Sequence, residues 1–121
     1  MKIVDANVII RYLLNDVKDL TERSAEIIEN SHIYIPNEII AEVVYVLEKV
    51  YKITREDISS SLSTLFNYPT VEVSDKSLIF EALSLYKRRK IDFVDTLLYA
   101  YFKVASYEVL TFDEKLSKLL K

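Results

Sequence analysis

Glycine is missing from all 121 residues, cysteine and tryptophan are missing too, proline occurs twice, and histidine and methionine once each. Without glycine there is no flexible glycine-rich linker and no glycine-cradled phosphate loop, so dinucleotide-binding and Walker-type readings fall away. Without cysteine there are no disulfides, thiolate metal sites or thiol nucleophiles, which fits a reducing interior. A lone histidine, His32, leaves no multi-histidine zinc site. A long apolar run is also missing: the opening MKIVDANVIIRYLL is broken by Asp5, Asn7 and Arg11 too early for a signal or spanning segment. A soluble, cytoplasmic protein with no membrane attachment is therefore expected. Positive charge is in deficit, with a formal net charge of −3, so the broad basic face of a non-specific nucleic-acid binder is absent and any polyanion must be met locally.

What is present is a chain that is 50% apolar, enough for a single domain over residues 1–121 to bury a core. A β-branched run at Lys2 to Val4 leads into Asp5, after which Val8, Ile9, Tyr12 and Leu13 recur at helical spacing. A helix is predicted from about Thr21 to Glu29, with Asn30 in the left-handed closing position that glycine usually fills. Ile33 to Ile35 reads as a strand stopped by Pro36. Asn37 is placed as the N-cap of a helix to about Tyr51, whose apolar stripe is Ile39, Ile40, Val43, Val44, Leu47 and Val50. Thr54 and Asp57 make a capping-box variant for a helix ending near Asn67. Thr70 to Val73 is a third strand, Asp75 caps a helix to about Lys90, and Asp92 caps another to about Ser106. Glu108 to Phe112 is a fourth strand, and Asp113 caps a short closing helix. Strands alternating with helices in this way give an α/β fold with a mostly parallel sheet and right-handed crossovers.

In such a sheet, helix N-termini gather at the carboxyl ends of the strands, where ligands bind. Asp5 ends strand one, Glu42 lies in the second turn of the helix after strand two, and Asp113 ends strand four. The helix carrying Asp95 must finish at the amino end of strand four, so its start returns to the same edge. Four carboxylates converging there would repel and take up protons unless a cation neutralised them. Oxygen-only ligands select Mg²⁺ or Mn²⁺ over zinc, and such an ion suits phosphodiester hydrolysis by polarising the phosphoryl oxygen and acidifying an attacking water. Each acid taken alone has an ordinary reading. Asp92 and Asp113 fit as N-caps, Asp95 sits in a first turn that favours negative charge, Glu42 fits a solvated face, and Asp5 could cap the following helix. The joint placement favours a metal site, as does the like-charge pair Glu38 and Glu42, which helix stability does not explain.

The pieces VDANVIIRYLL, IAEVVYVLEKVY, IDFVDTLLYAY and LTFDEKL, in this order, resemble the successive motifs of the PIN-domain family, and in particular the ribonuclease toxins of VapBC toxin–antitoxin pairs. The resemblance implies a PIN-like three-layer fold with a mostly parallel four- or five-stranded sheet, order 3-2-1-4 with a fifth strand in most members. It implies a metal set of Asp5, Glu42, Asp95 and Asp113, with Asp92 as the family's frequent extra acid. Asp5, Asp95 and Asp113 would then act most directly, Glu42 partly through water, while Asn7 and Thr111 orient ligands or phosphate by hydrogen bonds. The implied activity is that of a Mg²⁺- or Mn²⁺-dependent endoribonuclease leaving 5′-phosphate and 3′-hydroxyl ends. The implied assembly is a homodimer with a cognate VapB-like antitoxin, whose arginine-bearing tail can enter the acidic pocket.

Three other readings compete. One is a PIN nuclease of RNA processing without a toxin role. Another is a non-catalytic PIN-fold binding scaffold, for which loss of one or more acids is expected, whereas all four stand. The third is an aspartate phosphotransfer or receiver module, which wants two adjacent acids after strand one and a strand-end lysine, where Asp5 is followed by Ala6 and strand four ends in Thr111, Phe112 and Asp113. The run Lys87-Arg88-Arg89-Lys90 complements a helix C-terminal dipole. Arg88 and Arg89 in that run, and Arg11, are also candidate contacts to RNA phosphates. His32 is expected to pack rather than to act as a base.

Overall fold

The structure, a computed structural model, describes all 121 residues, and the chain divides into two compact units, 1–74 and 75–121. No helix is long and apolar enough to cross a membrane.

The first unit runs β1 (Lys2–Ile3), α1 (Ala6–Leu14), α2 (Lys18–Asn30), β2 (Ile33–Ile35), α3 (Asn37–Lys49), α4 (Arg55–Phe66) and β3 (Val71–Val73). The strands pair in parallel in the order β1-β2-β3, with Lys2 opposite Ile33 and Ile33 opposite Val71. Central β2 buries Ile33 and Ile35 almost completely, as a strand covered on both faces should. Around it α1 buries Ala6, Ile9 and Ile10, and α3 buries Ile40, Val43, Val44 and Leu47 at i, i+3, i+4, i+7 spacing; of the predicted stripe, Ile39 is only half-buried and Val50, beyond the end of α3, is exposed. Thr54 caps α4 as expected, its hydroxyl accepting from the Asp57 N–H at 3.1 Å.

The second unit holds α5 (Lys76–Arg88), α6 (Phe93–Ala105) and α7 (Glu114–Leu119). Asp75 caps α5 by accepting from the Leu78 N–H at 3.1 Å. The helices α5 and α6 pack on each other, with Leu78, Ile79, Ala82, Leu83 and Tyr86 buried on the first and Phe93, Leu97 and Ala100 on the second. Tyr86 stands edge-on to Phe93, with centroids 5.7 Å apart and planes at 84°.

Several expectations are corrected. The order 3-2-1-4, with or without a fifth strand, is met only in its 3-2-1 part, because the sheet has three strands. Glu108 to Phe112 is in no ladder, and Leu110 and Phe112 are 85% and 107% exposed. β-branched and aromatic composition records a preference for extended backbone, whereas a ladder also needs a partner strand. Asn30 is the last residue of α2, followed by extended Ser31, and Asn37 is the first residue of α3, with Pro36 at the cap. Pro36 supplies the required extended φ without a side-chain bond.

The lack of glycine has a cost in the backbone. Left-handed positions fall on Asn15 (φ 52°), Lys52 (φ 57°) and Ser106 (φ 60°). Asparagine tolerates this region, while serine and lysine pay a Cβ clash of about 1–2 kcal/mol. Ser106 closes α6, its N–H donating to the Tyr101 carbonyl, in the place where glycine is normally found. Ser106→Gly should therefore stabilise the protein by about 0.5–1 kcal/mol net of glycine's greater unfolded-state freedom. Calorimetry should show a melting temperature raised by a few degrees, and an unchanged or lower value would refute the strain argument.

Candidate functional site

In the second unit the acids are brought together by α6 and α7. Asp92 occupies the N-cap position of α6 but its side chain makes no capping hydrogen bond, which corrects the expected cap and leaves both carboxylate oxygens unengaged by the helix end. Asp95 sits in the first turn of α6, half-buried. Its carboxyl is pushed above the ordinary 3.8, first by burial and then by the negative charges of Asp113 and Asp92. Asp113 caps α7, Oδ1 accepting from the Leu116 N–H at 2.8 Å and leaving Oδ2 outside that bond. Thr111 steadies the approach to this cap: its hydroxyl accepts from the Asp113 N–H at 3.0 Å. Thr111 thus orients the backbone that carries the acid. With no fourth strand, it is the packing of α6 against α7, rather than a shared strand end, that sets Asp95 and Asp113 within reach of each other's charge.

In the first unit, Asp5 follows β1 and caps α1, Oδ1 accepting from the Val8 N–H at 3.3 Å. Glu42 is exposed on α3, the helix that follows β2. Because β1 and β2 are adjacent and parallel, α1 and α3 start from the same sheet edge, and the two helices pack on each other. Asn7, the second residue of α1, is exposed.

No group of three or more acids or histidines is drawn close enough to hold an ion as it stands. The donor chemistry nevertheless fits a hard divalent cation. The grouping of Asp92, Asp95 and Asp113 offers carboxylate oxygens only, each with at least one oxygen outside the capping bonds, and Asp95 bears a like-charge cost that a cation would remove.

Arg88 and Arg89 are exposed at the end of α5, and the Arg88 guanidinium donates to the Ser84 carbonyl of its own helix at 3.3 Å, as a C-terminal cation should. Arg11 pairs with Asp16 at 3.2 Å. His32 does not pack. It is exposed just before β2, and its Nε2 lies 3.0 Å from a carboxylate oxygen of Glu72 on β3. A feature missed from sequence is a cleft of about 340 Å³ between α1 and α2, where Asn7 and Arg11 face Leu20, Arg23, Ser24 and Ile27. Its signal was legible as the i, i+4, i+7 spacing of Leu20, Ser24 and Ile27, but only once α2 is extended back to Lys18.

The PIN-domain family profile matches residues 2–120. A protein named VapC ribonuclease from Aquifex aeolicus (strain VF5) is 32% identical over 124 residues, which covers 98% of this chain and 92% of that protein. No solved structure matches the chain. The α/β order, the parallel sheet and a family match running almost from end to end agree with the four ordered motifs: this chain belongs to the PIN-domain family.

Proposed function

We propose that this protein is a metal-dependent endoribonuclease, the toxin of a VapBC-type toxin–antitoxin pair, with Mg²⁺ or Mn²⁺ as cofactor. The observation that carries the reading is the family match over residues 2–120, with the four motif acids standing in order; beside it, Asp92 and Asp113 lie close enough to raise the Asp95 carboxyl by their charge. The likeness to a protein named VapC ribonuclease supplies the substrate class. Asp95 and Asp113, with Asp92 as an extra acid, would hold the ion. Asp5 and Glu42 are assigned to the same task on their places in the family motifs. When bound, the ion would polarise the scissile phosphoryl oxygen and acidify an attacking water.

The chain's own residues prepare this chemistry. The Leu116 N–H fixes one oxygen of Asp113 and the Val8 N–H one oxygen of Asp5, so each remaining oxygen is held in one orientation without losing charge. The Thr111 hydroxyl holds the backbone of Asp113 in place. Asn7 presents an exposed amide near Asp5, suited to a phosphate hydrogen bond. A cytoplasmic setting, a homodimer and a cognate VapB-like antitoxin complete the proposal, on the same likeness.

The test is cleavage of single-stranded RNA by the purified protein. Mn²⁺ or Mg²⁺ should support it, excess EDTA should abolish it, and added Mn²⁺ should raise the melting temperature, since a ligand stabilises the state that binds it. Cleavage undiminished by EDTA would reject the metal mechanism. No cleavage together with no stabilisation by Mn²⁺ would reject the enzyme in favour of a binding scaffold.

A further inference from the structure

We propose that the cleft between α1 and α2 is a nucleotide subsite for single-stranded RNA, with Arg23 contacting the phosphate. This deepens the ribonuclease reading and rests on it. The cleft has about 340 Å³, room for one nucleotide, and its two sides have different chemistry. Leu20 and Ile27, seven residues apart on one face of α2, remain 38% and 37% exposed, an apolar wall against which an unstacked base can lie. Between them Ser24 is buried, and across the cleft Asn7 offers an amide.

Two arginines, Arg11 and Arg23, line the same cleft. The Arg11 guanidinium is held by Asp16 at 3.2 Å through one nitrogen, which neutralises much of its charge while leaving other N–H donors. Arg23 is exposed and makes no ion pair, so its charge is available to an anion. In a chain of net charge −3, RNA meets no general attraction, and an unpaired arginine beside an apolar wall is the local kind of contact that the composition demands. The cleft also begins at Asn7, within a helical turn of Asp5, so a strand seated there would run past the start of α1.

The experiment is fluorescence anisotropy of a labelled single-stranded RNA oligonucleotide in EDTA, where no cleavage is needed, on the full chain and on Arg23→Ala, Arg23→Lys and, as a control, Lys49→Ala, an exposed cation at the end of α3. Position 23 is an exposed helix site, so alanine there should leave the fold intact. Arg23→Ala should weaken binding about fivefold to tenfold and flatten the salt dependence by about 0.7 in log–log slope, one single-strand phosphate contact. Arg23→Lys should restore the slope, and Lys49→Ala should change affinity by less than about twofold. Unchanged affinity in Arg23→Ala, an equal loss in Lys49→Ala, or no RNA binding by the unaltered protein overturns the subsite; the first would assign the cleft to a protein partner. The parent reading fails separately: an unaltered protein that binds RNA through Arg23 but never cleaves it with Mn²⁺ keeps the subsite and loses the nuclease.

Discussion

Asp95→Asn should abolish activity and, without metal, make the protein more stable. Burial and the charges of Asp113 and Asp92 hold the Asp95 carboxyl above its ordinary 3.8 in the folded protein, so the folded state binds this proton more readily than the unfolded chain does. Stability attributable to this group therefore falls as pH rises from 3.8 through the raised value, and at neutral pH the native state carries the penalty in full. An asparagine keeps the size and removes the charge. The variant should melt a few degrees higher than the parent at pH 7 in EDTA, and the gap should close on acidification below 3.8, where both side chains are neutral. Mn²⁺ reverses the order: the parent should be stabilised by the ion, and the variant much less. Ribonuclease activity should fall about a thousandfold or more, as for other residues that act at the reacting centre. A variant less stable than the parent in EDTA would show that Asp95 serves the fold, and the case for a cation guest would go with it.

Asp113→Asn separates the two roles of its residue in the same way. Asparagine caps a helix about as well as aspartate, so the bond to the Leu116 N–H can survive while the charge is lost. Local reasoning made Asp92 and Asp113 N-caps and Asp95 a first-turn acid, an ordinary helix-start role for each. In the structure Asp113 caps, Asp92 stands in the capping position without capping, and Asp95 carries the electrostatic burden.

What was legible from sequence was whatever depends on residues a few positions apart. The Thr54–Asp57 cap, the Asp75 cap, the strand at Ile33 to Ile35 and the middle of the α3 stripe, Ile40 to Leu47, each follow from spacing and side-chain reach, and each is present. The family was legible from four motifs in order, and the profile match covers them all. What failed depended on partners distant in the chain. Glu108 to Phe112 has the composition of a strand, yet pairing is a property of two segments, and this one joins no ladder. His32 opened an apolar strand, but its side chain takes the exposed side, where Glu72 of the neighbouring strand supplies a partner. The left-handed residue after α1, Asn15, was hidden because Asn30 offered the same chemistry in a chain with no glycine to mark the turn.

Tyr86→Ala should be the most damaging single change in the second unit, at about 3–5 kcal/mol, against a total stability of about 5–15 kcal/mol for a domain of ordinary size. Tyr86 is fully buried on α5 and braces Phe93 edge-on at 5.7 Å. Phe93 lies in sequence between Asp92 and Asp95, and Thr96, next to Asp95, is buried with its hydroxyl donating to the Phe93 carbonyl at 2.6 Å. The acids at the start of α6 are thus held by the apolar residues that alternate with them, so a cavity at position 86 should loosen the acids as well as the core. Urea unfolding should show a lower midpoint with an unchanged slope, the mark of lost stability without a changed denatured state. Under conditions where the variant is still folded, stabilisation by Mn²⁺ should also shrink, although no charged residue has been touched. Tyr86→Phe keeps the ring and should lose only about 0.5–1.5 kcal/mol for the hydroxyl, with the response to Mn²⁺ intact. If Tyr86→Ala lowered the midpoint but left the response to Mn²⁺ at full size, the packing around Phe93 would be shown to support the fold without positioning Asp92 and Asp95.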